Sequence, residues 1–158
     1  MTATRLLIVE DNPVDVRLLR YALDHQTWDV ETTVADDGEK AITLLLHSSE
    51  AESGKPDFII LDWNLPKRDG GEVLHVIRNE AALRDLPVAI LSSSPMDLIR
   101  GRMARVNVRA NCYFTKPLDV DDFIALGRRL HVCYRLVLEQ RKNGHDFQEI
   151  EAAELDGG

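Results

Sequence analysis

Five short stretches of strand character recur along the chain, each followed by a stretch of helical spacing. This alternation constrains the fold more than any other feature. RLLIV (5–9), DFIIL (57–61) and PVAIL (87–91) are continuous apolar runs of strand length, the pattern of strands buried on both faces. WDVETTVAD (28–36) alternates and is rich in β-branched residues, and NCYFT (111–115) completes the set. In PVDVRLLRYALDH, Val14, Leu18 and Ala22 share one helical stripe, and Pro13 suits the helix start. GEKAITLLLHSS (38–49) sets Ala41, Leu44, Leu45 and Ser48 in phase, and GGEVLHVIRNEAAL turns Val73, Leu74, Ile77 and Ala81 inward. AESGKP (51–56) reads as a loop, and a fourth helix falls near 95–105. The last helix, from Leu118 to Lys142, spans about 36 Å at 1.5 Å per residue and stops at Asn143–Gly144.

Strand and helix alternating five times predict a five-stranded parallel sheet covered by helices on both faces, an α/β doubly wound (βα)5 fold with an extended last helix. In such sheets the functional crevice lies beyond the carboxyl ends of the strands. Strand one ends in Glu10 and Asp11, strand three in Asp62, strand four in Ser92, and strand five in Thr115 and Lys116. Three carboxylates, a hydroxyl and an ammonium are therefore expected to converge. Crowded carboxylates repel, and one is driven neutral unless a cation sits among them. Mg²⁺ (or Mn²⁺) suits such a site, because a hard ion is held by a few carboxylates, waters and a phosphate oxygen. With the ion present, Asp62 can stay ionised and attack phosphorus to form an acyl phosphate. Lys116 can pair with one phosphoryl oxygen and Ser92 can donate to another.

Each residue also has a plainer reading. Asp62 alone is more often a turn residue than a nucleophile. Glu10 and Asp11 could cap the helix that begins at Pro13, although Asn12 can do that. Ser94 reads as a helix cap, Trp63 as packing beside the site, and Gly70 and Gly71 as backbone geometry in the loop after Asp62. Tyr113 is either plain core or part of a switch.

LLIVEDNP, LDWNLPKRDG, PVAILSSS and CYFTKP, in this order and spacing, resemble the four signature blocks of the two-component response-regulator receiver family, to which the chemotaxis regulator CheY belongs. The resemblance covers roughly residues 4 to 135. It implies that Asp62 is the phosphoacceptor, and that Glu10, Asp11 and Asp62 hold Mg²⁺ together with the backbone carbonyl of Asn64. It further implies switch roles for Ser92 and Tyr113, a phosphoryl-binding role for Lys116, and a cis Lys116–Pro117 bond. Glu10 departs from the commoner aspartate. VEDNPVDVRLL and NCYFTKP are also similar to stand-alone regulators that partner phytochrome-type histidine kinases. The chain is thus expected to be a non-enzyme whose only chemistry is Mg²⁺-dependent self-phosphorylation and autodephosphorylation. Its expected partner is a histidine kinase, with output through a surface of the fourth helix, fifth strand and fifth helix. The alternative is a receiver fold that is never phosphorylated. A haloacid-dehalogenase-type phosphatase would want an aspartate where Asn64 stands. A flavin carrier would place its phosphate loop where Glu10 and Asp11 repel phosphate.

The division of the chain is expected at 1–142 and an acidic tail, 143–158. A net charge of −8 argues against nucleic acid, and no apolar run approaches the roughly 20 residues of a membrane span. The N-terminus lacks a signal peptide's apolar stretch, and no output domain is expected after residue 143. Cys112 and Cys133 show no motif spacing and read as reduced core residues of a cytoplasmic protein. Arg100, Arg102, Arg105 and Arg109 are either a solvated face or a docking surface for an acidic partner. The last helix carries more apolar positions than one stripe needs. Tyr134, Leu136, Val137 and Leu138 are therefore expected in a homodimer interface. The tail, with Phe147 and Ile150 amphipathically spaced, is expected either to be disordered or to reach the arginine-rich face of the other subunit.

Overall fold

A computed structural model describes residues 3–48, 54–145 and 147–156. Residues 51–53 of the expected loop and Asp146 of the tail lie outside them. The elements alternate throughout: β1 (Thr4–Val9), α1 (Pro13–Asp24), β2 (Val30–Ala35), α2 (Gly38–Ser48), β3 (Phe58–Asp62), α3 (Gly70–Asn79), β4 (Val88–Ser92), α4 (Met96–Arg105), β5 (Cys112–Thr115), α5 (Val120–Lys142) and α6 (Ala152–Asp156). The sheet order is β2-β1-β3-β4-β5 with every pairing parallel, so the chain reverses its winding between β1 and β3. That order places the topological switch point beside Glu10 and Asp62.

Strand periodicity sorts the core into two layers. Leu6 and Ile8 of β1, Phe58 and Ile60 of β3, Ala89 and Leu91 of β4, and Cys112 and Phe114 of β5 face α1 and α5. Leu7, Val9, Ile59, Leu61, Val88 and Ile90 face α2, α3 and α4, and Tyr113 packs on that side. The same alternation corrects the reading of the cysteines. Cys112 points at α5, where Cys133 lies with its Cα 6.7 Å away, and the two sulfurs are bonded. That Cα separation lies within disulfide reach. The chain spacing gave no hint of it, because the partners are brought together only when α5 folds back over β5.

Two helix faces also differ from expectation. On α1 the buried residues are Val16, Leu19, Ala22 and Leu23, while Val14 is 56% exposed. The burying stripe is turned because α1 packs on α5 as well as on the sheet. α3 stops at Asn79, which leaves Ala81 exposed, and Leu83 fills the core in its place.

The surplus apolar residues of α5 are largely covered within the chain. Trp28 stacks on His131 with ring centroids 4.5 Å apart, and Tyr134 packs on Phe58 at 5.3 Å. Val137 is buried, and Ile150 and Leu155 of the tail join the same core layer. Of the four expected interface residues, Leu138 is 42% exposed and Tyr134 and Leu136 are half-buried. The inference that the surplus demands a second subunit therefore fails for Val137, since the tail returns to cover its own helix. No helix among the described residues is long and apolar enough to cross a membrane.

α1 and α5 approach closely at Gly127, where a Cβ would lie 2.7 Å from the carbonyl oxygen of Ala22. The obstacle is backbone, so Gly127→Ala is expected to cost about 1–3 kcal/mol. Urea unfolding should show a lower midpoint at unchanged slope; an unchanged midpoint would mean the helix pair is loose.

Candidate functional site

The backbone ladder runs one step past the strands and fixes each strand-end residue. Glu10 N–H donates to Ala35 O at 3.0 Å, Trp63 N–H to Leu91 O at 2.9 Å, and Lys116 N–H to Ser92 O at 2.9 Å. Val9 pairs with Leu61 and Asp62 with Leu91, so Glu10 and Asp62 emerge side by side. α3 is pressed against the same point. Gly70 N–H donates to Trp63 O at 2.9 Å, and a Cβ on Gly70 would lie 2.7 Å from Asp62 O. Gly70 and Gly71 thus open α3 rather than lie in a free loop, and the absent side chain lets the helix start sit on the Asp62 backbone.

One carboxylate oxygen from each of Glu10, Asp11 and Asp62 lies within 4.8 Å of the others. Lys116 Nζ stands among acids, 2.5 Å from Glu10 Oε1, 2.8 Å from Asp15 Oδ2 and 3.0 Å from Asp62 Oδ2. Asp62 Oδ1 accepts from Asn64 N–H at 3.0 Å, and Glu10 Oε2 accepts from Asn12 N–H at 3.1 Å. Glu10 and Asp62 are buried, whereas Asp11 is exposed at the rim. Ser92 is fully buried, and its hydroxyl oxygen accepts from Ser94 N–H at 2.9 Å.

Asp15 is the acid that sequence reading missed. It lies in the first turn of α1, where an acid reads as complementing the helix dipole. Its spacing one turn beyond Asp11, on a helix that starts directly over the strand ends, is the signal that points to it. Asn12 does cap α1, its side chain accepting from Val14 N–H at 2.9 Å, so Glu10 and Asp11 are free of that duty. Ser94 does not cap α4. The helix follows Pro95 with no side-chain cap, and the Ser94 N–H is spent on Ser92. The Lys116–Pro117 bond is trans, since the described residues contain no cis peptide. The trans link, which X–Pro bonds intrinsically prefer, already allows both the Lys116 backbone bond to β4 and the reach of Nζ to the acids.

Charge is unbalanced here. Burial pushes the Glu10 carboxyl up from 4.5 to about 7, and neighbouring Asp62 adds to this, against the opposing pull of Lys116 and the Asn12 N–H. For Lys116, burial pulls the ammonium down, but Asp15, Glu10 and Asp62 outweigh it and hold it above the ordinary lysine range. The excess of carboxylate over ammonium, with hard oxygen donors partly at the surface, fits a divalent cation such as Mg²⁺. The void behind the acids, walled by Leu19 and Phe123, holds about 10 Å³, room for no more than a water. Whatever reacts at Asp62 must therefore be presented from outside.

Trp63 is buried, lies against Gly71, and lines a groove of about 350 Å³ with Met103, Val106 and Val108. Tyr113 is half-buried on the α4 side. Its hydroxyl accepts from Ala110 N–H at 3.0 Å and donates to Met103 Sδ at 3.2 Å, and the Arg100 guanidinium lies 5.0 Å from its ring centroid. The other expected basic residues, Arg102, Arg105 and Arg109, are exposed.

Residues 6–127 match the family model described as response regulator receiver domain. The response regulator Rcp1 of Synechocystis sp. is 36% identical over 122 residues, 77% of this chain and 82% of that protein. The crystal structure of the phosphorylated cyanobacterial phytochrome response regulator RcpA superposes with a TM-score of 0.75 at 31% identity, covering 85% of this chain and 95% of that one. The Mn²⁺-bound form of Rcp1 superposes at 0.65 and 30% identity, covering 94% and 99%. The chain spans about half the length of several longer curated relatives, transcriptional regulators among them.

The raised Glu10 value carries a pH dependence of definite sign. The folded state holds this proton more tightly than the unfolded one. The resulting stability is complete below pH 4.5 and is lost as pH rises through about 7. The Tm of the metal-free chain relative to a Glu10→Gln variant is expected to drop across that window. Mg²⁺ should raise Tm more at about pH 8 than at about pH 5, because binding requires the ionised carboxylates. A relative Tm that is flat across the window would remove Glu10 as the strained group.

Proposed function

The chain belongs to the response-regulator receiver family, and from that premise we propose that it is a phosphorylation switch. Asp62 takes a phosphoryl group from a histidine kinase, and the change is read from a protein surface. The observation that carries this reading is the buried Asp62 carboxylate, held by Lys116 beside two further acids at the mouth of the switch point. Glu10, Asp11, Asp62 and the backbone carbonyl of Asn64 would hold Mg²⁺, which supplies charge neutralisation for the transferring group. The Asn64 N–H holds Asp62 Oδ1 and the Lys116 ammonium holds Oδ2, which fixes the plane of the carboxylate. A carboxylate oxygen of Asp62 forms the new O–P bond as the P–N bond of a phosphohistidine breaks, and the departing imidazole takes up a proton. Lys116 then pairs with a phosphoryl oxygen and the Ser92 hydroxyl donates to another. Ser92 can donate while its oxygen still accepts from Ser94 N–H, since a hydroxyl does both at once.

Ser92, drawn toward the phosphoryl group, pulls the Ser94 N–H and the β4–α4 loop with it, and Tyr113 follows, which is the usual form of a phosphorylation switch. Residues 1–142 form the signalling unit and 143–158 its tail. The chain modifies itself once per cycle and turns over no separate substrate. The kinase is proposed to be of phytochrome type, because the cyanobacterial phytochrome response regulator RcpA matches 85% of the chain at 31% identity. Self-association belongs to the proposal on a narrower footing, with Tyr134, Leu136 and Leu138 offered and Val137 withdrawn.

The deciding measurement is intact mass after incubation with Mg²⁺ and acetyl phosphate, beside Asp62→Asn. One phosphoryl adduct in the wild type and none in the variant is expected, with light scattering on the same samples reporting assembly. An unmodified chain that is folded and binds Mg²⁺ would favour a receiver fold used only as an interaction module.

A further inference from the structure

Residues 147–156 of the acidic tail are neither loose nor directed away from their own domain. After Gly144, in the left-handed region at φ 69°, His145 N–H donates to Gln140 O at 3.0 Å and the chain turns back toward β5. Ile150 N–H donates to Asn111 O at 2.9 Å, one residue before β5 begins. Ile150 and Leu155 are buried in the layer between β5 and α5.

Three side chains of this segment, Phe147, Glu149 and Asp156, meet a complement. The Phe147 ring lies 5.4 Å from the Arg78 guanidinium and 5.1 Å from that of Arg109, within cation–π range of both. Glu149 pairs with Arg100 at 2.5 Å. Asp156 pairs with Arg129 at 3.1 Å, an ion pair that falls short of hydrogen-bond geometry. Arg78 is itself held rigidly. It donates to Arg109 O, Arg84 O, Leu86 O and Asn111 Oδ1, and the Asn111 side chain also accepts from Val88 N–H. The tail therefore docks on a preorganised surface at the start of β4 and β5.

One contact joins this docking to the switch. The Arg100 guanidinium that binds Glu149 also lies over the Tyr113 ring. While Tyr113 keeps its hydroxyl on Ala110 and Met103, its ring supports Arg100 in the position Glu149 needs. A Tyr113 ring that turns away removes that support.

We propose that Phe147–Asp156 is an internal ligand of the α4–β5 face, bound through Arg78, Arg100, Arg109 and Asn111, and that phosphorylation at Asp62 loosens it by withdrawing Tyr113 from beneath Arg100. The release step rests on the receiver reading above; the docking does not. By linkage, a docked tail favours the unphosphorylated arrangement to the same extent that phosphorylation disfavours docking.

Amide hydrogen exchange on the full chain, read over residues 147–156, tests both parts, with intact mass of the same sample reporting the adduct. The unmodified chain is expected to protect the Ile150 amide. Glu149→Lys should speed its exchange about twofold to fivefold, the scale of a partly exposed ion pair, and the swap Arg100→Glu with Glu149→Lys should restore protection. Acetyl phosphate with Mg²⁺ should speed exchange in the wild type and not in Asp62→Asn. Unprotected exchange in the unmodified chain overturns the docking. An adduct with unchanged exchange overturns the release and leaves the receiver reading standing. Absence of any adduct counts against the receiver reading and overturns the release with it, while the charge swap still decides the docking. Protection that grows with protein concentration places the tail on a second copy and overturns the internal assignment.

Discussion

The Lys116 ammonium is the point on which the site depends. It leaves the end of β5, spans the sheet's carboxyl edge, and touches acids from the ends of β1 and β3 and from the first turn of α1. Without it, carboxylates from three elements would face one another across a void the size of a water. The ion also imposes a limit. One positive charge cannot neutralise Glu10, Asp11, Asp15 and Asp62 together, and burial leaves Glu10 poised near neutral pH. The fold thus carries a built-in deficit of positive charge, which a divalent metal among these carboxylates would offset.

The sheet order makes this arrangement possible. Parallel pairing brings all five carboxyl ends to one edge, and the reversal of winding between β1 and β3 keeps the helices from covering it. β1, β3 and β5 each continue their hydrogen bonding one residue past the strand. The chemically active groups therefore stand on backbone as rigid as the core beneath them. This rigidity lets a shallow site hold its geometry without an enclosing pocket.

The sheet and the strand-end residues were legible in the sequence because both rest on short-range rules. Apolar runs of strand length, followed by helical spacing, leave little choice of architecture, and polar residues at the ends of such runs have one place to go. What was not legible depends on how helices lie on one another. Val14 was set on the buried stripe of α1 because spacing alone cannot say that the stripe is shared between a sheet and α5. Cys112 and Cys133 looked unrelated because their meeting depends on a helix folding back on a strand. Asp15 drew no attention in the sequence because its partner, Lys116, lies far along the chain. The surplus on α5 points, by spacing alone, to a second subunit. That the cover would be Ile150 and Leu155 of the same chain is long-range information, which periodicity does not hold.

β5 separates two helices of very different freedom. On one side, α5 buries seven residues, meets α1 backbone to backbone at Gly127, and is bonded to the strand through Cys133. On the other side, α4 buries only Ile99 and Met103 and begins without a side-chain cap. Because adjacent side chains of a strand point to opposite faces, Cys112 anchors the strand to the fixed helix while Tyr113 meets the loose one. A disturbance arriving at the end of β4 is thereby given a direction. It cannot easily shift α5, so it is passed to α4, and the strand acts as a hinge post with a wall on one side and a door on the other.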